Sequence, residues 1–525
     1  MLSKLPTSKT IHRAGMAVES DNLLGRSPYL VASIVIIAVV PIVSWLLQCN
    51  QRPKTFPPGP PTIPILGNIH QMPTKHAFLK FAEWSKQYGD IVGLRIGPQS
   101  MVIISSPEII REMLVNRGVI YSGRPVLYVT RDLIFPDQDH MFMMQNDEML
   151  RRTRTAFKRL TGTAGLKEAL SFQEAIASKF VSDLSDDVQS PERSIRLWSF
   201  RTAMTAILGP VADDKASEVL DEWTLIQHRL VESVEATMSS AFELLPFLKY
   251  LPFIPGKENA RQIGVSLRAM YDDLFGRLRF YLSQAQNSVV DIKYWGLVGS
   301  IIRDQEREKE SVENNESLFT DSQLKTLAQF VQDAATDTTL STAMTCIMAL
   351  TANPHLLQKV QEEVDTVCGP GNVPSQNLDK LPYVKACVLE ALRWRPPAPV
   401  LLPHRLEQDD HIRGFYLPRG TMIIANAWAA NHDPAHFEKP EIFNPDHFVG
   451  VQGYPGVYPF GIGRRSCPGD QFALHTLIIM IAKLASTFDF TFDGPAPDSS
   501  IENGYNAGVV MSPKAFPMKF IRRRG

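Results

Sequence analysis

Cysteine is scarce in this sequence, and neither sign of charge dominates. The chain has 525 residues and only five cysteines, an odd number, and no two of them form a C-x-x-C pair. These counts exclude a dense disulfide scaffold and argue against a zinc ribbon or finger. Lys and Arg together number 54 against 55 for Asp and Glu, so the overall charge excludes nucleic acid as an expected partner.

Apolar residues, by contrast, are abundant, at 44% of the chain against 21% charged, as in proteins with a large packed core. Length alone allows about three or four domains, but no repeat and no long Gly/Ser linker follows residue 65. Strand patterns are short, at 91–96 and 101–104, whereas helical spacing predicts helices at 322–350, 354–367, 381–394 and 468–488. Thr320 or Ser322 can cap the first of these. We therefore expect one large, mainly α domain with small β-sheets.

The N-terminal region contains an uncharged run at residues 30–47. As a helix it would be about 27 Å long, close to the thickness of a bilayer core. It predicts a transmembrane anchor at 29–49, between a tail at 1–28 and a proline-rich strut at 50–66 that leads into a catalytic domain at 67–525. A cleaved signal peptide is the alternative, although its apolar stretch would be shorter. The basic residues before the span favour a cytosolic N-terminus, but initiation at Met16 would reverse that bias.

One cysteine lies in an unusual setting, the segment Phe460-Gly461-Ile462-Gly463-Arg464-Arg465-Ser466-Cys467-Pro468-Gly469. Its glycines allow a tight turn and close approach to a flat partner. Cys467 directly precedes a predicted helix, whose N-terminal N–H groups favour a negative sulfur, and two arginines add positive charge. These features suit a thiolate that holds a metal; an inert cysteine in a turn is the alternative.

The spacing of this segment is more specific than its composition. Phe460, Gly463, Arg465, Cys467 and Gly469 match F-x-x-G-x-R-x-C-x-G, and through this motif the chain resembles the cytochrome P450 family. The resemblance covers nearly the whole body of the chain. It implies a P450-type domain that binds haem b, iron protoporphyrin IX, with Cys467 as the axial thiolate ligand of the iron, and that uses dioxygen as co-substrate.

Two further segments resemble structural motifs of the family. Glu390 and Arg393 match E-x-x-R, an (i, i+3) pair that lies on one helix face. His447 stands in a segment similar to P-E-R-F, where arginine is commoner. The resemblance implies a structural network of these three side chains, with His447 as a weaker, pH-sensitive partner. Taken alone, the Glu/Arg pair would be read as a solvated surface pair.

A segment of the predicted central helix, Ala334-Ala335-Thr336-Asp337-Thr338-Thr339, resembles the oxygen-activating motif of the family. The resemblance implies that the Thr338 hydroxyl contacts dioxygen and that Asp337 relays protons through water. The alternative is a helix interior in which threonines bond back to carbonyls. Ala335 replaces the usual glycine, but the acid–alcohol pair is retained.

The resemblance also assigns groups around the cofactor. Arg465, His404 and Arg154 would bind the haem propionates, with Leu150 in place of a usual tryptophan. Candidate pocket residues are apolar, and ordinary core packing is the alternative for each; together they predict a lipophilic substrate. These pocket candidates are Phe330, Ala334, Val400, Leu401 and Val510.

No flavin or nicotinamide domain is evident, so the resemblance implies electrons from a separate NADPH-cytochrome P450 reductase, with cytochrome b5 as an optional second donor. It also implies a single-pass protein of the endoplasmic reticulum membrane with a cytosolic catalytic domain. The chain looks most like fungal monooxygenases of secondary-metabolite biosynthesis. A haem-thiolate isomerase or dehydratase that does not use dioxygen, and a non-catalytic pathway scaffold, are the alternatives; the Asp337–Thr338 pair argues against the first of them.

Overall fold

The architecture was obtained as a computed structural model of the chain. The structure describes residues 33, 40, 52–136, 140–184, 192–238, 250, 256–286, 294–309, 319–369, 371, 373–451 and 457–523. The predicted anchor at 29–49 lies outside the described residues, apart from Ser33 and Val40. Within the described ranges, no helix combines the length and the apolar character needed to cross a membrane.

Helices form most of the described structure, which confirms the predicted mainly α class. In chain order they are α1 Ala77–Tyr88, α2 Pro107–Arg111, α3 Glu148–Thr161, α4 Thr163–Asp183, α5 Glu192–Leu208, α6 Val211–Met238, α7 Lys257–Gln286, α8 Gly296–Lys309, α9 Asp321–Ala352, α10 Pro354–Cys368, α11 Pro382–Trp394, α12 Ala427–Asn431, α13 Asp470–Thr487 and α14 Ile501–Gly504. Short π-helical turns cover Glu112–Asn116 and Val129–Ile134, and 3₁₀ turns cover Ile69–Gln71, Ser375–Lys380, Pro445–His447 and Gly463–Arg465.

The strands are short and make small sheets. They are β1 Ile91–Ile96, β2 Gln99–Ile104, β3 His404–Arg405, β4 Asp410–Ile412, β5 Phe415–Leu417, β6 Met422–Ala425, β7 Phe488–Phe492, β8 Tyr505–Asn506, β9 Ser512–Pro513 and β10 Met518–Arg522. The largest sheet has the order β1-β2-β6-β3, in which β2 and β6 are parallel and the other neighbours antiparallel. Two-stranded pairs are β10-β7, β4-β5 and β8-β9.

Helix α9 is the central element, and its local sequence explains its bounds. The Thr320 side chain accepts from the Gln323 N–H while the Gln323 side chain accepts from the Thr320 N–H, a reciprocal capping box that starts the helix. The helix ends at Ala352, before Asn353 and the proline that opens α10. Most of its second half is buried, and the helix packs against α5, α11 and α13. This packing places α9 inside the domain.

The proline-rich segment is fastened to the body near β1. Arg52 donates to the carbonyls of Gly59 at 2.7 Å and Pro60 at 2.6 Å, and the Asn68 amide donates to Pro60 at 3.0 Å. Gly93 in β1 donates its N–H to the Pro58 carbonyl at 2.7 Å. A Cβ on Gly93 would lie 2.4 Å from the Pro57 carbonyl oxygen, so glycine is what allows this close approach.

Candidate active site

The turn that contains Cys467 is built by glycines. Gly461 and Gly463 have φ angles of 67° and 74°, which side chains with a Cβ rarely adopt. A Cβ on Gly463 would also lie 2.1 Å from the Leu114 carbonyl oxygen. The Cys467 N–H donates to the Phe460 carbonyl at 2.7 Å and closes the loop. The signature residues therefore meet in one tight turn that presents the thiol.

The helix after this turn begins later than the sequence predicts. It starts at Asp470 rather than at Pro468, with Gly469 as its N-cap, because the chain at Cys467 and Pro468 is still part of the turn. The Gly469 N–H nevertheless donates to the Cys467 sulfur at 3.4 Å. Part of Cys467 is exposed at the surface of the protein. Its sulfur is nevertheless surrounded by many protein atoms, and this desolvation raises the pKa of the thiol to about 11. Burial outweighs the expected effect of the helix end, so a thiolate here needs a strong positive partner, such as a metal ion.

Three predicted cations lie around this turn. Arg465 donates to the carbonyls of Ser122 and Met144, both at 2.8 Å, and Arg154 donates to the Ser466 carbonyl at 3.1 Å. The third is His404, whose Nδ1 lies 2.7 Å from the Tyr121 carbonyl oxygen, so this nitrogen carries the proton.

Sequence reasoning missed a fourth cation, Arg124. Its Nη1 donates to the carbonyls of Leu402 at 2.7 Å and Pro403 at 2.6 Å, while its Nε is buried and has no hydrogen-bond partner within the described ranges. Burial and the nearby Arg465 lower the pKa of Arg124 to about 9. A lone Arg-Pro pair in a loop carries no local signal, and only the fold brings it to the site.

The three guanidinium groups concentrate positive charge with little compensation. Within the described ranges, none of Arg124, Arg154 and Arg465 forms an ion pair with a carboxylate, and the backbone carbonyls they contact carry no net charge. Burial, followed by the charges of Arg124 and, less strongly, Arg465, lowers the pKa of His404 to about 3, so His404 becomes a cation only beside an added anion. Such a cluster next to a thiol fits a flat, dianionic metal complex such as haem, whose propionates would supply the missing charge. No group of three or more His, Cys, Asp or Glu side chains in the described part of the chain could hold a metal by itself.

The oxygen-motif residues lie on an unbroken stretch of α9. The Thr338 hydroxyl donates to the Ala334 carbonyl at 2.7 Å, so its single proton is committed and its lone pairs can accept. Asp337 accepts from Arg196 of α5 at 2.7 Å. Burial raises the pKa of Asp337, and Arg196 opposes this shift. Ala335 is accommodated without a break in the helix.

The three residues of the structural network are in contact. Glu390 and Arg393 are both 0% exposed, and two hydrogen bonds of 2.8 and 2.7 Å join them. His447 Nδ1 lies 3.2 Å from a Glu390 carboxylate oxygen, and its Nε2 lies 3.1 Å from the Glu438 carbonyl. Both ring nitrogens of His447 thus face acceptors, so the imidazole bridges Glu390 and the Glu438 carbonyl.

The candidate pocket residues fall into different parts of the core. Phe330 and Ala334 both lie on α9, where Phe330 is buried in one apolar cluster and Ala334 packs against the same cluster. Val400 and Leu401 pack against other clusters. Val510 is half-buried and lies directly before Met511, which connects α9 to the segment after α11. Met511 accepts from Ser341 of α9 at 2.6 Å and donates to Pro397, after α11, at 2.8 Å.

Comparisons with known proteins agree with this geometry. The family model described as Cytochrome P450 matches residues 57–520. Cytochrome P450 monooxygenase macC of Penicillium terrestre is 29% identical, covering 91% of this chain and 90% of that protein. Cytochrome P450 monooxygenase patH of Penicillium expansum is 28% identical, with 94% and 95% covered.

A third relative and a solved structure extend the comparison. Cytochrome P450 monooxygenase fogE of Aspergillus ruber is 26% identical over 94% of this chain and 91% of its own length. A zebrafish cytochrome P450, solved with abiraterone, superposes with a TM-score of 0.68 at 22% identity and covers 85% of this chain and 100% of that one. At this identity the solved structure supports the fold alone.

Proposed function

The chain belongs to the cytochrome P450 family, and we propose that it is a membrane-anchored monooxygenase that oxidises a lipophilic small molecule in fungal secondary-metabolite biosynthesis. The family match and the relatives' names make it an oxidoreductase of the monooxygenase type. The family works with haem on a cysteine thiolate, dioxygen, and electrons from NADPH through a reductase. The Penicillium and Aspergillus sources of the relatives support the fungal assignment.

The Cys467 turn and the cations around it carry the proposal. A thiol presented by a glycine turn is common, but here it lies near three guanidinium groups that have no carboxylate partner among the described residues. Cys467 would hold the iron, and Arg124, Arg154, Arg465 and His404 would hold the propionates. A propionate at His404 would raise the pKa of that imidazole and let Nε2 donate.

When bound, the haem supplies the oxidation chemistry that a thiolate ligand favours. The chain supplies hydrogen bonds and protons. The Thr338 hydroxyl, anchored to the Ala334 carbonyl, offers lone pairs at a fixed position on α9. Asp337 would take up a proton at its carboxylate when it leaves Arg196 and would pass it on through water, a role that its raised pKa supports.

The membrane placement is part of the proposal. The apolar run at 30–47 would anchor the chain in the endoplasmic reticulum, with the body in the cytosol beside NADPH-cytochrome P450 reductase. Asn315 begins an N-x-S sequon. It lies outside the described residues and should carry no glycan if the body is cytosolic; a glycan on Asn315 would contradict this placement.

A gene-deletion strain provides the test of function. A lipophilic compound that accumulates in the deletion strain is incubated with microsomes that contain the chain and its reductase, under ¹⁸O₂ with NADPH. The product should gain one ¹⁸O atom, and Cys467→Ser microsomes should leave the compound unchanged. A product without ¹⁸O, or equal conversion by Cys467→Ser, would contradict the proposal.

A further inference from the structure

An imidazole and a carboxyl group face each other inside a mainly apolar cluster. His140, in the loop before α3, is 5% exposed. Its ring stacks on Phe135 at 4.6 Å and meets Phe142 at 5.2 Å and Phe330 at 5.5 Å between ring centroids. Burial lowers the pKa of His140 to about 4, so the ring is neutral at physiological pH. A polar group is thus held inside an aromatic cage.

The carboxyl group belongs to Asp333 on α9. Its side chain is buried, and it accepts from the amides of Gln227 on α6 and Gln329 on its own helix. Burial raises the pKa of Asp333 to about 8, and the neighbouring charge of Asp337 adds to this. The group is therefore mostly a neutral carboxylic acid at pH 7 and can donate its proton.

Two buried polar atoms near this carboxyl lack hydrogen-bond partners in the described part of the chain. His140 Nε2 lies 4.0 Å from Asp333 Oδ2, too far for a hydrogen bond, and among the described residues it has no other partner. The indole N–H of Trp223 on α6 is also buried and makes no hydrogen bond of good geometry, although it lies close enough to Asp333 to lower its pKa. Burying polar atoms without partners costs free energy. The gap between His140 and Asp333 is therefore suited to a third polar group that hydrogen-bonds to both side chains.

The location connects this pair with the proposed reaction. Phe330, which closes the cage, and Ala334 share one face of α9 with Thr338, at spacings of four residues. Asp333 lies about 7.5 Å along the helix axis from Thr338. A small substrate with a short carbon skeleton could therefore reach from Asp333 to Thr338.

We propose that His140 and Asp333 bind a hydroxyl group of the substrate, which bridges the 4.0 Å between them while the phenylalanine rings hold its apolar body. This inference rests on the proposed function and narrows the substrate class from lipophilic molecules to lipophilic alcohols or phenols. A hydroxyl both donates and accepts, so it satisfies the acid and either tautomer of the imidazole. An ionised carboxylate on the substrate would instead meet a neutral ring and two acidic side chains, Asp333 and Asp337.

Calorimetry on the full-length haem-loaded protein tests the proposal with three probes of equal framework: 2-naphthol, 2-methoxynaphthalene and naphthalene. The methyl ether can accept but not donate, and naphthalene does neither. The wild type should bind 2-naphthol about tenfold more tightly than 2-methoxynaphthalene, which corresponds to about 1.4 kcal/mol.

The variants assign this preference to the two side chains. His140→Phe keeps the aromatic packing and removes the nitrogen, so it should lose the preference for 2-naphthol and bind naphthalene as well as the wild type does. Asp333→Asn, which still donates and accepts, should keep part of the preference. His411→Phe is the matched control, because His411 also contacts an aromatic ring, that of Tyr416, but lies in β4; it should bind all probes as the wild type does.

Three results would overturn the proposal. These are equal affinities of the wild type for 2-naphthol and its methyl ether, an unchanged preference in His140→Phe, and no binding of 2-naphthol up to its solubility limit. An unchanged preference in His140→Phe would mean that the pair only holds water. Because binding is measured as heat, it is independent of ¹⁸O incorporation, and the inference and the proposed function can fail separately.

Discussion

Replacing Arg393 with methionine should destabilise the fold more than most single changes. The guanidinium group is fully buried and makes two hydrogen bonds to Glu390. It also donates to the carbonyls of Asn431 at 3.0 Å, Pro440 at 2.9 Å and Ile442 at 3.3 Å. Methionine fills a similar volume but can make none of these contacts.

The size of the effect follows from what the substitution leaves behind. Removing one partner of a buried ion pair costs about 3–5 kcal/mol, because the other charge stays buried. Of the described residues, the Glu390 carboxylate would keep as partners the Asn444 N–H, at 2.8 Å, and His447. We therefore expect a loss of about 4 kcal/mol, a large part of the roughly 5–15 kcal/mol that stabilises a typical domain.

Two further variants separate the buried charge from lost packing. Glu390→Leu combined with Arg393→Met removes both charges, so the double variant should be more stable than the sum of the single losses predicts, by about 1–3 kcal/mol. His447→Gln removes a partner that makes fewer and longer contacts, so it should cost less than Arg393→Met.

The assay is urea unfolding of the detergent-solubilised full chain, followed by tryptophan fluorescence, with haem retention measured in parallel. A loss below about 1 kcal/mol for Arg393→Met would refute the reasoning, since it would mean that the pair is hydrated or replaceable. Strict additivity in the double variant would also refute it, because the two charges would then not be coupled.

Other predictions concern the hydroxyl of Thr338, the guanidinium group of Arg124 and the buried carboxyl group of Asp333. Thr338→Ala should keep the haem spectrum but consume NADPH with less product, and Thr338→Ser should restore the ratio; an unchanged ratio in Thr338→Ala would contradict the role of the hydroxyl. Arg124→Met should lose haem several-fold faster to an apo-globin acceptor, whereas Arg151→Met, an exposed residue paired with Glu148, should not; equal rates would remove Arg124 from the site. The pKa of Asp333 is about 8 in the folded state against an ordinary 3.8, so between these pH values the folded protein binds a proton that the unfolded chain does not. The protonated Asp333 therefore stabilises the fold. This contribution to the free energy of unfolding is fully present below pH 3.8 and is lost as the pH rises to about 8. Asp333→Asn should lack that pH-dependent component in urea titrations, and a wild-type curve parallel to that of the variant would contradict the assignment.

Short-range signals in the sequence predict the ends of several helices to within one or two residues. The capping box at Thr320 and the prolines at 354 and 382 delimit α9, α10 and α11 by short-range hydrogen bonding and sterics. The predicted start of α13, at Pro468, was wrong by two residues, because Pro468 and Gly469 still belong to the turn that presents Cys467.

Long-range contacts explain what could not be predicted. Arg124 depends on carbonyls 278 and 279 residues away, and no periodicity in the sequence encodes such a pairing. The buried Arg393 likewise donates to carbonyls 38 to 49 residues away, which no local signal predicts. His140 and Asp333 meet only because the loop before α3 packs on α9.

The reduced carbon monoxide difference spectrum tests the central claim, that Cys467 is the thiolate ligand of a haem, most directly. The purified, reconstituted wild type should show the strongly red-shifted Soret band of a haem thiolate, and Cys467→Ser should lack it. A wild type without this band, or a Cys467→Ser variant that retains it, would contradict the account.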